Sequence, residues 1–94
     1  MPSVSYIEKI IEGQFLYQYS NATVTHLITD SRNVTFPTQS LFFAIKGDTY
    51  NGNDFIDELY KKGVRNFVVT EAPPEEKLYL DANFILVHDA VIAL

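Results

Sequence analysis

Ninety-four residues, 47% of them apolar and 14% aromatic, are enough for one globular domain and too apolar for a disordered segment. Twelve acidic against seven basic side chains leave a net charge of −5, which excludes a nucleic-acid binder built on a Lys/Arg patch and means that any bound anion is held by a few local donors. The absence of cysteine excludes disulfides, thiol chemistry and cysteine-based metal sites, and no apolar run reaches the roughly 18 residues of a membrane span.

The chain opens with MPSVSYIEKI, which lacks the basic and apolar regions of a secretory signal, so the cytoplasm is the expected compartment. Residues 3–12 read as a helix capped by Ser3 or Ser5, with Val4, Ile7, Ile10 and Ile11 on one face and Gly13 placed to stop it. QFLYQY, 14–19, reads as a short strand. VTHLITD, 24–30, alternates in the manner of a strand with both faces partly covered. A loop punctuated by Pro37 follows, and then LFFAI, 41–45, a continuous apolar run typical of an interior strand. DFIDELYKK, 54–62, is the clearest helix. Asn53 or Asp54 is its expected cap, Phe55, Ile56, Leu59 and Tyr60 its apolar stripe, and Gly63 its stop; Asp57–Lys61 and Glu58–Lys62 are favourable i,i+4 pairs. RNFVVT, 65–70, and NFILVHD, 83–89, read as two further strands. A strand–helix–strand unit over 41–70 implies parallel pairing, so the expected class is α/β, with a small mixed, partly parallel sheet and flanking helices.

Two loops carry possible binding chemistry. The first, AIKGDTYNGNDF, offers the Lys46 charge, close backbone approach at Gly47, and amides at 53–56 where a helix opens. It is not a nucleotide-hydrolysis loop, because no Gly-Lys-Ser/Thr follows a spaced glycine. An ordinary strand–helix connection with a tight Asn51-Gly52 turn accounts for the same residues. The second, Asp30-Ser31-Arg32, follows a strand end, where ligands gather in α/β sheets; an Asx-turn with an exposed arginine is the plain alternative. His26 and His88 read as core or strand-edge histidines. No residue pattern suggests a metal site or a nucleophile–base pair.

Taken in order, ITDSRNVTFPTQSLFFAIKGDTYNGNDFIDELYKKGVRNFVV resembles the N-terminal domain of the Mur ligases, the ATP-dependent enzymes that build the peptidoglycan stem peptide. The loop AIKGDTYNGNDF is most similar to that of the members adding D-alanyl-D-alanine to UDP-N-acetylmuramoyl-tripeptide, and LYKKGVRNFVV to forms fused to an alanine racemase. The resemblance implies a substrate-binding domain that is not catalytic alone. Ser31 would contact the nucleotide, with Thr29 beside it; Asp48, Thr49 and Tyr50 would touch uracil and diphosphate after Lys46 and Gly47; Asp30 and Arg32 would shape the pocket. Asn53 stands where many members have histidine, and Tyr60 where alanine is common. Residues 1–89 would form the UDP-substrate domain, and AVIAL, 90–94, the start of a segment leading to an ATP- and magnesium-binding domain. The implied partners are UDP-N-acetylmuramoyl-peptide and the remaining ligase domains in cis, with neither nucleic acid nor membrane insertion. Two alternatives stand beside this: a ligase adding the third stem-peptide residue, and a non-catalytic regulatory or interaction domain of the same fold.

Overall fold

A computed structural model of the chain describes residues 3–28, 34–44, 55–71 and 81–88. Its elements are α1 (Val4–Ile10), β1 (Gln14–Tyr17), β2 (His26–Ile28), a 3₁₀ turn (Pro37–Gln39), β3 (Ser40–Phe43), α2 (Ile56–Lys61), β4 (Asn66–Val69) and β5 (Asn83–Leu86). The five strands form one sheet in the order β1-β5-β4-β3-β2. β2, β3, β4 and β5 run parallel, and β1 pairs with β5 antiparallel. The α/β class with a mixed, partly parallel sheet is therefore the observed one.

The apolar runs that gave no clear period in sequence are strands buried on both faces. One face carries Phe42, Ala44, Phe67, Val69 and Phe84, packed with Ile56 and Leu59 of α2. The other carries Leu41, Phe43, Val68, Ile85 and Val87, packed with Val4 and Ile7 of α1. Odd and even strand positions thus feed separate cores, as the two-residue repeat of a strand requires. Phe67 stands between Phe84, stacked at 5.0 Å, and Phe42, edge-on at 6.4 Å. Each buried phenylalanine contributes about 1.5–3 kcal/mol of hydrophobic free energy.

α1 starts where its first amides find partners. Ser3 is the cap: its Oγ accepts the Tyr6 N–H at 3.2 Å. The Ser5 N–H goes to Asn21 Oδ1 at 3.1 Å, and the Val4 N–H to the Ala22 carbonyl at 2.8 Å. The helix is shorter than 3–12; Val4 and Ile7 are buried in the core and Ile11 packs partly against it, while Ile10 is exposed. Its stop differs from expectation as well. Glu12, at φ 57°, is the left-handed residue; the Gly13 N–H bonds the Glu8 carbonyl and the Glu12 N–H that of Lys9. This is a Schellman ending with a glutamate where glycine is favoured, at a cost of about 1–2 kcal/mol. Gly13 is needed for room: a Cβ there would lie 2.4 Å from Ile85 Cγ2. α2 ends in the same motif, with Gly63 itself at φ 108°.

β1 stops at Tyr17 rather than continuing to 19, because the Tyr19 and Ser20 N–H groups turn inward to Asn83 Oδ1, at 2.8 and 3.0 Å. β2 is not covered on both faces: it is a three-residue edge strand whose Leu27 is 61% exposed. Across the amino edge of the sheet runs a buried polar ladder. Asn83 Nδ2 donates to Asn66 Oδ1 at 2.8 Å, and Asn66 Nδ2 donates to the Ser40 carbonyl at 3.1 Å.

Candidate functional site

Thr29, Asp30, Ser31, Arg32, Lys46, Gly47, Asp48, Thr49, Tyr50 and Asn53, the residues named from the sequence, lie outside the described residues. The structure supplies the frame that carries them. Thr29 directly follows β2, and residues 45–54 join β3 to α2. β2 and β3 are parallel neighbours with Ile28 beside Phe42, so both connections leave from the carboxyl ends of adjoining strands. Past the end of β3, Ala44 is still buried, and its N–H bonds the Val68 carbonyl at 2.8 Å. The second loop therefore departs from a fixed point. The carboxyl edge of an open parallel sheet is where ligands collect.

The helix opening expected over residues 53–56 falls largely outside the described residues. α2 begins at Ile56, has six residues, and carries no side-chain cap bond at Phe55; Asn53 and Asp54, the expected caps, fall outside the described residues. Asp57 and Glu58 fill its first turn. They oppose the helix dipole favourably but repel an incoming phosphate. Both expected ion pairs form, Asp57–Lys61 at 2.9 Å and Glu58–Lys62 at 3.9 Å, on the solvent side.

Tyr60 does more than fill a helix position. Its hydroxyl donates to Asp81, its ring lies 4.0 Å beneath the Arg65 guanidinium, and Arg65 Nε reaches Asp81 Oδ2 at 3.2 Å. Arg65 also donates to the Tyr60 and Val64 carbonyls, at 2.8 and 2.9 Å. The phenol hydrogen bond, aided by Arg65, holds the Asp81 carboxyl below its ordinary value despite some desolvation. The same hydrogen bond, with burial, raises the Tyr60 phenol. The cluster ties the end of α2 to the start of β5. Sequence reasoning missed it because Asp81 lies sixteen residues beyond Arg65, outside any local period.

His26 is exposed on the edge strand, its ring tilted against Phe36 at 5.1 Å, with Nδ1 2.7 Å from Thr25 Oγ1. Among the described residues no three His, Asp or Glu side chains gather in a way that suits a metal ion, and no helix is long and apolar enough to cross a membrane. Farther along the carboxyl edge, a hollow of about 350 Å³ opens between Glu12, Gln14, Thr70, Leu86, Val87 and His88. These residues come from three separate stretches of chain, so no motif announced them.

Comparison with known proteins bears on this frame. The family described as "Mur ligase family, catalytic domain" matches residues 23–94. The UDP-N-acetylmuramoyl-L-alanyl-D-glutamate–2,6-diaminopimelate ligase of Parabacteroides distasonis is 34% identical over 86 residues, covering 89% of this chain and 16% of that protein. The ligase of the same name from Clostridium tetani is 35% identical over 86 residues, covering 92% and 17%. This chain thus spans about a sixth of the length of these relatives. A crystal structure of MurF from Acinetobacter baumannii superposes with a TM-score of 0.81 at 17% identity, over 98% of this chain and 19% of that one. That likeness speaks for the fold. The sequence pattern, shared over most of the chain, speaks for descent: the chain belongs to the Mur ligase family.

Proposed function

We propose that this chain is the substrate-anchoring domain of a peptidoglycan-precursor ligase and grips the uridine diphosphate end of a UDP-N-acetylmuramoyl-peptide. The observation that carries the reading is the in-register parallel pairing of β2 and β3, which sends the Asp30-Ser31-Arg32 and Lys46–Asn53 connections out from adjoining strand ends. Polar connections that leave from neighbouring strand ends and carry a serine, an arginine and a lysine suit a nucleotide diphosphate in an acidic protein. The domain supplies remote binding energy that orients the reacting carboxylate elsewhere. ATP and magnesium, which the acyl-phosphate chemistry of such a ligase requires, would be held by other parts of the full-length, cytoplasmic enzyme.

The residue added is proposed to be the third of the stem peptide, because the curated sequence relatives carry the name of 2,6-diaminopimelate ligases. The D-alanyl-D-alanine reading rests on the loop AIKGDTYNGNDF and is the second candidate. An assay of the full-length protein separates them. ATP-dependent phosphate release with UDP-N-acetylmuramoyl-dipeptide and diaminopimelate or lysine supports the first; release only with the tripeptide and D-alanyl-D-alanine overturns it in favour of the second. For the anchoring role itself, amide shifts on titrating UDP-N-acetylmuramoyl-peptide are expected in residues 29–32 and 46–53. A silent spectrum favours a non-catalytic interaction domain of this fold.

A further inference from the structure

Phe36 is an aromatic residue that burial does not explain. It is 51% exposed and takes no place in either buried core. Among the described residues its ring meets that of His26, tilted by 33° with centroids 5.1 Å apart. The two stand on opposite limbs of the connection that leaves β2 and returns to β3. His26 opens β2, and Phe36 precedes the 3₁₀ turn that leads into Ser40, the residue beside His26 in the parallel register. Further contacts reinforce the pair. The Thr25 N–H bonds the Gln39 carbonyl at 2.9 Å, Thr25 Oγ1 donates to Gln39 Oε1 at 3.1 Å, and Ser40 Oγ donates to the Phe36 carbonyl at 2.8 Å. Since the one hydroxyl proton of Thr25 goes to Gln39, its oxygen accepts from His26 Nδ1 at 2.7 Å, which fixes the imidazole against the ring of Phe36.

This clasp stands at the base of a short connection. Val34, on the returning limb, is half-buried and packs on the core that α2 covers. Five residues, 29–33, separate Ile28 from Val34, and Asp30, Ser31 and Arg32 are three of them. The leaving limb is weakly founded: β2 has three residues, lies at the edge of the sheet, and carries Leu27 at 61% exposure. A loop whose ends can drift apart loses more conformational entropy on binding a ligand than one whose ends are held. Tying His26 to Phe36 holds the two limbs at one separation. An exposed ring pair adds little to the stability of a whole sheet, so its effect is local to the connection it spans.

We propose that His26 and Phe36 are positioning residues: their ring contact pins the two limbs of the β2–β3 connection and thereby raises the affinity of the Asp30-Ser31-Arg32 segment for the uridine diphosphate group. The inference rests on the uridine-anchoring reading. It is tested in the full-length enzyme with Phe36→Ala, Phe36→Tyr, Ser31→Ala and the Phe36→Ala/Ser31→Ala double variant. Phe36→Ala should raise Kd for UDP, and KM for the UDP-N-acetylmuramoyl-peptide, about 2- to 10-fold, the worth of one aromatic pair, and leave kcat and KM for ATP unchanged. Phe36→Tyr keeps the ring and should restore the original values. In the double variant the loss should fall short of the product of the two single losses, since Phe36 acts through the segment that carries Ser31. Thermal unfolding verifies that each variant folds. Unchanged Kd in Phe36→Ala beside weakened binding in Ser31→Ala overturns the clasp and leaves the uridine reading standing, and so does a double variant whose losses multiply. Unchanged Kd in both single variants overturns the uridine reading and the positioning role with it.

Discussion

Replacing Asn83 with alanine is the sharpest test of how the sheet is held at its amino edge. Among the described residues the Asn83 side chain makes three hydrogen bonds: Nδ2 to Asn66 Oδ1 at 2.8 Å, and Oδ1 from the Tyr19 and Ser20 N–H groups at 2.8 and 3.0 Å. The amide orientations follow from one another. Asn66 must donate to the Ser40 carbonyl, so its oxygen faces Asn83; Asn83 must accept two backbone amides, so its nitrogen faces Asn66. Removing Asn83 leaves Asn66 Oδ1 without a partner in a residue that is 0% exposed, a penalty of about 1–3 kcal/mol. The two backbone amides are only part-buried and recover some of their loss from water. The sum is about 3 kcal/mol, a large fraction of the 5–15 kcal/mol typical of such domains. For a chain of this size that lowers Tm by about 12–24 °C. Urea unfolding of Asn83→Ala, Asn66→Ala and the double variant, followed by circular dichroism, gives both the loss and the coupling. A loss below about 1 kcal/mol for Asn83→Ala, or strictly additive effects in the double variant, would refute the argument that the ladder acts as one unit.

Other outcomes follow from the same structure. Gly13→Ala should destabilise by about 1–3 kcal/mol in urea unfolding, since the new methyl meets Ile85 inside a packed layer. Stability should depend on pH through the Tyr60–Asp81 pair. Because the Asp81 carboxyl is lowered from 3.8 in the folded state, its contribution is present above that value and is lost as pH falls through the lowered one. Because the Tyr60 phenol is raised from 10.0, its contribution is present below that value and is lost as pH rises through the raised one. Tm measured against pH should show both declines, and Tyr60→Phe should weaken the acid one and abolish the alkaline one. Ser31→Ala in the full-length enzyme should weaken UDP-substrate binding by about 1.5–3 kcal/mol by calorimetry; unchanged affinity would remove Ser31 from the site.

Much of the fold was legible in the residues. LFFAI and NFVV announced interior strands because β-prone apolar runs fit a sheet covered on both faces, and the 41–70 unit is parallel as its spacing required. The i,i+4 pairs of α2 and the Gly63 stop are local in sequence and were readable for that reason. The misreadings share a cause: they depend on partners far along the chain. Ile10 was read onto the apolar face, but it is exposed while Val4, Ile7 and Ile11 meet the core. Leu27 alternates like a covered strand and is exposed because β2 is the edge. Gly13 looked like a conformational stop and is a steric necessity set by Ile85, seventy-two residues later. The candidate loops were named from composition and resemblance. The structure adds their departure points on neighbouring strands, which no one-dimensional spacing contains.

The ladder of buried amides has a consequence for how the sheet finds its alignment. β3, β4 and β5 are apolar at successive positions, so sliding one strand by a single residue would exchange its two hydrophobic sets and leave each face nearly as greasy as before. Hydrophobic burial alone discriminates poorly between such offsets. Asn66 lies opposite Asn83, and one step of slippage would strand both carboxamides among hydrocarbon without their mates. These two polar residues therefore act as an alignment key, selecting one offset from several that oil alone would accept.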